Sequence, residues 1–272
     1  MAGSLTQAQI AQFRTHGWLA PLRAIDAEQA ADCVRRVRAY EDHVGADANR
    51  SLKIKGHLAM PWVVELARSP AILDAVESLI GPDILLFGAS IFAKGGGGRE
   101  YVSWHQDSAY FGLAPHEEVT AWVALTESHA DNGALQVLPG THVQPDLQHE
   151  ETFAEGNMLA RGQSIAVADD SAAVTLTLQP GEFSLHHERT VHGSQPNRSD
   201  GRRIGFAFFF IPPRVQSTIG RRTATLVRGR DGYGHWDADP LPRFDYDDIS
   251  MAAMRAAWGQ YRDGEVRQAA QA

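Results

Sequence analysis

The 272-residue sequence has little of what marks several large classes of protein. Its one cysteine, Cys33, excludes an intrachain disulfide and a cysteine-based zinc cluster. Its net charge of −8 argues against a nucleic-acid-binding protein, because phosphate binding requires a basic surface. It has no apolar run as long as a membrane span, and its N-terminal residues lack the pattern of a signal peptide. We therefore expect a cytoplasmic protein that associates with neither nucleic acids nor membranes.

The first part of the sequence, residues 1–81, has the pattern of helices. Two predicted helices begin after Thr6 and Asp26, which are favourable N-cap residues, and each stops at a glycine. Two more are predicted to begin at Pro61 and Pro70, because proline is favoured in the first turn of a helix.

Residues 82–215 form instead a series of strand-length runs separated by Gly, Pro, Asn and Asp turns. The runs are "DILLFGASIFAK", "YVSWHQD", "EVTAWVALTE", "GALQVLP", "AVTLTLQPG", "EFSLHHERTVH" and "RIGFAFFFIPP". Their alternation and short spacing predict an antiparallel barrel or double sheet, with the helices packed outside it. A C-terminal extension, residues 216–272, ends in another helical pattern. We expect one domain over residues 1–272, of the α+β class and mainly β.

The segment "SWHQDSAYFG", residues 103–112, contains two potential metal ligands two positions apart. In a strand, residues i and i+2 point to the same face, so His105 and Asp107 would converge while Gln106 turns away. Three interpretations fit such a pair: half of a metal site, a hydrogen-bonded structural pair, or a coincidence.

A third ligand would decide between these interpretations. A non-haem Fe(II) oxygenase binds its metal through two histidines and one carboxylate, all on one side of the ion. His192 is the best candidate for the second histidine, since it ends a predicted strand and precedes a turn. His186 and His187 remain alternatives, and His186 has the same strand parity as His192.

The strand "RIGFAFFFI" opens with Arg203, eleven residues after His192. Alternation places small residues on the face of Arg203 and bulky ones on the other, namely Ile204, Phe206, Phe208 and Phe210. The bulky face is predicted to pack against the outer helices, and the small residues leave a cavity beside Arg203. A buried guanidinium needs an anionic partner, which a dicarboxylate cosubstrate would supply. This argument favours Arg203 over Arg202.

Taken together, these motifs resemble the phytanoyl-CoA dioxygenase family of Fe(II)/2-oxoglutarate oxygenases, over about residues 8–230. The matching segments are "WHQD", "TAWVALTESHADNGALQVLPGTH" and "HGSQPNRSDGRR", in the order and approximate spacing of the family. A His-x-Asp motif alone is a weak signal, whereas the three segments together are specific.

The resemblance implies a double-stranded β-helix, the jelly-roll fold that cupins share, with a metal at the mouth of the barrel. It implies Fe(II) as the metal, with 2-oxoglutarate and dioxygen as cosubstrates. The residues implied for the metal are His105, Asp107 and His192, and those for 2-oxoglutarate are Arg203 and Ser194 at its distal carboxylate and Trp122 lining its pocket. Because Asp107 keeps the third ligand position filled, hydroxylation is expected rather than halogenation.

The sequence indicates the substrate less clearly than it indicates the metal and the cosubstrate. Within the family, the chain is most similar to small bacterial hydroxylases, including those that act on aminophosphonates. The segment after Pro213 is predicted to fold over the barrel mouth, where its arginines would attract anions: Arg214, Arg221, Arg222, Arg228 and Arg230. Lys94 is a further candidate for the pocket, with a solvated lysine as the alternative. The expected substrate is a small anionic or zwitterionic molecule, such as an aminophosphonate or an amino acid.

Two alternatives remain open. The same chemistry could act on an acyl-CoA, a carrier-bound group or a natural product, or the chain could be a non-catalytic, cupin-like barrel that binds a ligand. Residues 150–172 form the longest stretch without a clear strand pattern, and we interpret them as an active-site lid or a surface insertion. The sequence does not indicate the oligomeric state.

Overall fold

The structure, a computed structural model, describes residues 4–144, 146–152, 154–159, 162–167 and 169–263. Its α-helices are α1 (Gln7–His16), α2 (Ala27–Val44), α3 (Pro61–Ala67), α4 (Pro70–Ile80), α5 (Ser108–Phe111) and α6 (Asp248–Asp263). The side chains of Thr6 and Asp26 each accept a hydrogen bond from a backbone amide in the first turn of α1 and α2, as predicted. The four N-terminal helices expected from the sequence are therefore confirmed.

The strands are β1 (Trp18–Arg23), β2 (Ile84–Lys94), β3 (Val102–His105), β4 (Leu113–Ala114), β5 (Val119–Ala124), β6 (Leu135–Val137), β7 (Glu150–Glu151), β8 (Gln163–Ser164), β9 (Val174–Thr175), β10 (Glu182–His187), β11 (His192–Ser194), β12 (Arg203–Ile211), β13 (Gln216–Ser217), β14 (Thr223–Arg228) and β15 (Asp237–Ala238). The two longest strands are β2, with 11 residues, and β12, with nine, and every other described strand has six residues or fewer.

Most of these strands belong to two sheets that face each other. The larger sheet has the order β1-β10-β5-β12-β2-β14-β15, and the smaller has the order β3-β11-β6-β9. Within them, β14 and β15 pair in parallel and the other pairs are antiparallel. One hydrophobic cluster joins the sheets, since it contains Leu135 and Val137 of β6 together with Trp122 and Phe209 of the larger sheet. The arrangement is a jelly-roll with an apolar interior.

Strand β12 shows how the larger sheet separates two cores. Phe206, Phe208 and Phe210 are buried on its outer face in a cluster that includes residues of α3 and α4. The edge of one ring contacts the face of the other where Phe206 meets Trp62 of α3, with ring centroids 5.8 Å apart. The predicted packing of the bulky face against the helices is confirmed. The inner face of β12 is left for the cavity.

The larger sheet continues past residue 215, where the sequence placed the end of the barrel core. Strand β14 pairs with β2, and β15 pairs with β14, so part of the expected C-terminal extension is built into the sheet. Helix α6 packs beside it through Met251 and Met254.

Among the described residues, no helix combines the length and apolar character needed to cross a bilayer.

Candidate metal centre and active site

Two adjacent strands of the smaller sheet bring the three predicted ligands together. His105 ends β3, His192 begins β11, and the two residues are direct partners in the antiparallel register. Asp107 follows β3 by two residues. One ligand atom from each of the three lies within 4.8 Å of the others, and the described residues contain no second such group. The Nε2 atoms of His105 and His192 lie 3.4 Å and 3.9 Å from the Asp107 carboxylate oxygens.

Backbone hydrogen bonds fix the orientation of both imidazoles. His105 Nδ1 lies 2.9 Å from the carbonyl oxygen of Ser103, and His192 Nδ1 lies 2.8 Å from that of Thr190. Since a carbonyl oxygen only accepts, each Nδ1 carries the proton and each Nε2 presents a lone pair toward Asp107. This is the usual arrangement behind a metal-bound histidine.

The electrostatics favour the protonation states that a metal requires. Burial, together with the neighbouring His105, lowers the pKa of His192 well below its usual value. Burial raises the pKa of the Asp107 carboxyl, but His192 and His105 outweigh it and lower that pKa to about 2. Near neutral pH the site therefore offers a neutral His192 imidazole and an ionised Asp107 carboxylate, which are the forms that bind metal.

The structure also places the two rival histidines. His186 lies on β10 in the opposite sheet, with its ring centroid 4.6 Å from that of His192, but it is not one of the three converging groups. His187 points to the other face, where its ring approaches His142 and its Nδ1 accepts a hydrogen bond from the Arg189 amide.

A cavity that is partly open to solvent adjoins the three ligands. The predicted cosubstrate residues Trp122, Ser194 and Arg203 all line it, as do His105, Asp107 and His192. The structure thus places all six residues around one space.

Arg203 is buried in the wall of this cavity, with 2% of its surface exposed. Its guanidinium donates to the carbonyl oxygens of Gly133 (2.6 Å) and Phe92 (3.4 Å), while its Nε has no partner. No carboxylate among the described residues forms an ion pair with it, and burial lowers its pKa to about 10. An uncompensated buried cation with an unused donor fits a carboxylate ligand.

Trp122 stacks near this guanidinium, with the Arg203 Cζ 5.2 Å from the ring centroid. The ring lies over Gly205, where an added Cβ would come within 2.2 Å of it. A glycine at position 205 is therefore required for Trp122 to occupy the cavity wall.

Lys94 is corrected from a candidate at the pocket to a buried supporting residue. It is fully buried and does not line the cavity. Its ammonium donates to Ser194 Oγ (2.6 Å), Ser194 O (3.2 Å) and Gln195 O (2.5 Å). Burial and the nearby Arg203 lower the pKa of Lys94 to about 6. Its role in the structure is to position Ser194.

The arginines after Pro213 do not line the cavity either, which corrects the predicted anion-attracting cover. Arg214 pairs with Glu117 and Arg221 with Asp237, at 2.6 Å and 2.8 Å. Arg222 donates to the Phe111 carbonyl oxygen at 2.6 Å. These three arginines are therefore held by partners within the protein. The segment that carries them runs through β13, which pairs with β4, into β14, which pairs with β2.

Lys53 is a cavity residue that the sequence analysis missed. It is 7% exposed, its ammonium donates to the Ile91 carbonyl oxygen at 3.0 Å, and it lies 4.2 Å from the Phe92 ring centroid. Burial lowers its pKa to about 8, and no described carboxylate pairs with it. In the sequence, Lys53 is only a lysine next to an isoleucine between two predicted helices. Such a pattern is too common to identify a site.

Residues from two further segments complete the cavity wall. Met158 and Leu159 come from the predicted lid, and Trp258 and Tyr261 from α6. Gln163 of β8 donates to the Tyr261 hydroxyl at 3.2 Å, so the two segments touch. Phe153, Ala160, Arg161 and Ala168 of the predicted lid lie outside the described residues. Whether the segment opens and closes stays a prediction.

Removing any of the three ligands should abolish tight binding of a divalent metal, because no fourth side chain of the described residues converges on the site. We expect His105→Ala, Asp107→Ala and His192→Ala each to lose binding of Ni²⁺ in anaerobic calorimetry, whereas wild-type protein binds one ion per chain. His187→Ala is the matched control and should bind as wild type does. Retained binding in His192→Ala together with loss in His187→Ala would reverse the ligand assignment.

Comparison with known proteins gives the family. A model of the phytanoyl-CoA dioxygenase (PhyH) family matches residues 11–205. The chain is 34% identical over 181 residues to a probable alpha-ketoglutarate-dependent hypophosphite dioxygenase of Stutzerimonas stutzeri, covering 64% of this chain and 63% of that protein. It is 29% identical over 178 residues to peroxisomal phytanoyl-CoA dioxygenase of Bos taurus, covering 60% and 53%. The matches thus span less than two thirds of these relatives.

A solved structure matches over nearly the whole chain. The non-heme monooxygenase ThoJ, in its apo form, superposes with a TM-score of 0.83 at 33% identity, covering 97% of this chain and 99% of that one. A nickel complex of ThoJ superposes with a TM-score of 0.79 at 30% identity, covering 96% and 99%. The double-stranded β-helix expected from the sequence is confirmed, and the chain belongs to the phytanoyl-CoA dioxygenase family.

Proposed function

We propose that this protein is an Fe(II)- and 2-oxoglutarate-dependent dioxygenase that hydroxylates a small anionic or zwitterionic molecule. The observation that carries the proposal is one cavity with two complementary features. One is the His105, Asp107 and His192 cluster, and the other is Arg203, a buried guanidinium that no described carboxylate pairs with. A metal ligand set alone would fit many proteins, whereas the pairing with Arg203 fits a dicarboxylate that reaches the metal.

The donor set suits iron(II), since two imidazoles and one carboxylate on one side leave positions for other ligands. When bound, iron(II) supplies the activation of dioxygen, coupled to the conversion of 2-oxoglutarate into succinate and CO₂ as one oxygen atom enters the substrate. The residues of the chain fix the geometry of this reaction. Ser103 and Thr190 orient the two imidazoles through their carbonyl oxygens.

The far end of 2-oxoglutarate is assigned to Arg203 and Ser194. Arg203 would give its carboxylate a charge-assisted hydrogen bond, and Ser194 would add its hydroxyl. Lys94 holds Ser194 in place, and Trp122 forms the wall. The apolar residues around them exclude water, which strengthens each of these electrostatic contacts.

Negative charge on the substrate is supported by different residues from those the sequence suggested. The arginines after Pro213 lie elsewhere, but Lys53 places a second buried cation without a described carboxylate partner in the cavity wall. The hypophosphite dioxygenase relative carries a name consistent with a small anionic substrate.

A second candidate substrate class is favoured by the lining of the cavity. Its walls include Phe92, Phe111, Phe209, Met158 and Trp258. Such walls suit a larger apolar body, as in a natural product, an acyl-CoA or a carrier-bound group. A non-catalytic, cupin-like ligand binder is less well supported, because that function does not explain why the buried charge of Arg203 lies in the same cavity as the metal ligands.

Arg203→Ala should raise the KM for 2-oxoglutarate by about tenfold to a hundredfold, because a charge-assisted hydrogen bond in a buried site contributes about 1.5–3 kcal/mol. The control is Arg202→Ala, since Arg202 points outward and pairs with Glu41 at 2.6 Å. Its KM should stay within about twofold of wild type. The readout is succinate formed per minute at varied 2-oxoglutarate. An effect of Arg202→Ala larger than that of Arg203→Ala would contradict the assignment.

The proposed activity is tested by succinate formation with purified protein, Fe(II), 2-oxoglutarate and a substrate panel. The panel holds hypophosphite, 2-aminoethylphosphonate, amino acids, acyl-CoAs and aromatic natural products. We expect succinate formation stimulated by small anions, with a product heavier by one oxygen atom. Stimulation by the acyl-CoAs or natural products alone would establish the second substrate class. No consumption of 2-oxoglutarate, with metal bound, would refute the dioxygenase proposal.

A further inference from the structure

His186 is a buried histidine in the cavity wall that the proposed reaction does not use. It is 2% exposed, and neither its Nδ1 nor its Nε2 has a hydrogen-bond partner in the described part of the chain. Buried polar atoms are hydrogen-bonded in nearly all native proteins, so two unpartnered nitrogens on one ring call for a partner outside the chain. The ring borders the cavity, where such a partner can bind.

Among the residues that the structure describes, the neighbours of His186 do not hydrogen-bond its ring. The cross-strand neighbour of His186 on β5 is Thr120, whose hydroxyl donates to Glu118 Oε1 at 2.9 Å and forms no hydrogen bond with the His186 ring. The imidazole of His192 lies 4.6 Å away between ring centroids, and its Nδ1 is held by the Thr190 carbonyl oxygen.

Strand register separates His186 from the proposed 2-oxoglutarate site. His186 pairs with Thr120, and Thr120 pairs with Phe209 on β12. Phe209 lies six residues beyond Arg203, which corresponds to about 20 Å along the strand, and β10 is two strands from β12, or about 10 Å across the sheet. A five-carbon acid held by Arg203 therefore reaches the metal from one end of the cavity, and His186 flanks the metal at the other end.

The walls next to His186 show what kind of molecule fits there. Phe209 lies on the same row of the sheet, and Phe111 comes from α5, directly after the ligand Asp107. The two rings touch, with centroids 4.9 Å apart, and both line the cavity. This end thus combines an apolar surface with two polar side chains, His186 and Thr120, and the hydroxyl of Thr120 donates to Glu118.

We propose that His186 is a substrate-binding residue: it hydrogen-bonds an oxygen of the substrate's acidic group while the carbon skeleton packs on Phe111 and Phe209. The inference rests on the proposed function and adds to it the subsite that orients the substrate. The proposed substrate is a compound that carries a carboxylate or phosphonate group on a short carbon chain. His186 takes no part in binding the metal or 2-oxoglutarate.

The test compares His186→Phe and His186→Leu, which remove the hydrogen bond, with His186→Gln, which keeps a donor and an acceptor. His187→Gln is the matched control, since it changes the next residue on β10 but faces away from the cavity. Folding is checked by circular dichroism, and either apolar variant suffices if the other does not fold. Calorimetry measures Ni²⁺ binding and then 2-oxoglutarate binding, and succinate assays measure the KM for amino acids and aminoalkylphosphonates.

We expect the affinities for Ni²⁺ and 2-oxoglutarate to stay within about twofold of wild type in all four variants. The apolar variants should raise the KM for the substrate by about fivefold to tenfold, the effect of losing one hydrogen bond. They should also release more succinate per hydroxylated product, and His186→Gln should restore most of both losses.

Other results would overturn the assignment in distinguishable ways. Weaker Ni²⁺ binding in the apolar variants would make His186 a metal ligand, and weaker 2-oxoglutarate binding would make it a cosubstrate residue. An unchanged substrate KM would leave it a structural histidine. Wild-type protein that consumes 2-oxoglutarate but hydroxylates no carboxylate or phosphonate would refute the subsite and leave the dioxygenase proposal intact. Wild-type protein that binds no 2-oxoglutarate would refute both.

Discussion

The pairing of β3 with β11 is the contact on which the site depends. It makes His105 and His192 direct neighbours across two antiparallel strands, where opposite residues stand about 4.5–5.5 Å apart. Strand β11 is also paired with β6 on its other side, so it lies inside the smaller sheet and cannot shift without breaking both ladders. Backbone carbonyls then fix each imidazole. The positions of the two histidine ligands are thus set by sheet hydrogen bonds, which are more rigid than a loop, and Asp107 follows at the start of α5.

Charge inside the barrel is the second constraint. Arg203 and Lys53 are buried, and neither is paired with a carboxylate among the described residues, although the chain as a whole carries a net charge of −8. Burying such cations is unfavourable, and an anion that enters the cavity offsets that cost. The protein is therefore arranged to gain stability from anionic ligands, since a ligand that binds only the folded state stabilises it.

Local patterns accounted for much of this structure. N-cap residues located α1 and α2, and the alternation of small and bulky residues in β12 identified both the core face and Arg203. The positions of Lys53, His186 and the arginines after Pro213 depend on long-range packing, which no local pattern encodes. Strand parity did not distinguish His186 from His192 as the second histidine ligand. In the folded structure, His186 lies on β10 of the larger sheet and His192 on β11 of the smaller sheet. The family motifs narrowed the choice of ligands, while the substrate side of the cavity follows from contacts outside them.

The central claim is that metal and 2-oxoglutarate occupy one cavity and bind together, the metal at His105, Asp107 and His192 and the distal carboxylate at Arg203. The most direct measurement is an anaerobic calorimetric titration of 2-oxoglutarate into the protein with and without Fe(II). The account predicts tight one-to-one binding with the metal and at least tenfold weaker binding without it, since chelation adds to the Arg203 contact. Equal affinity in the two titrations, or no binding in either, would contradict it.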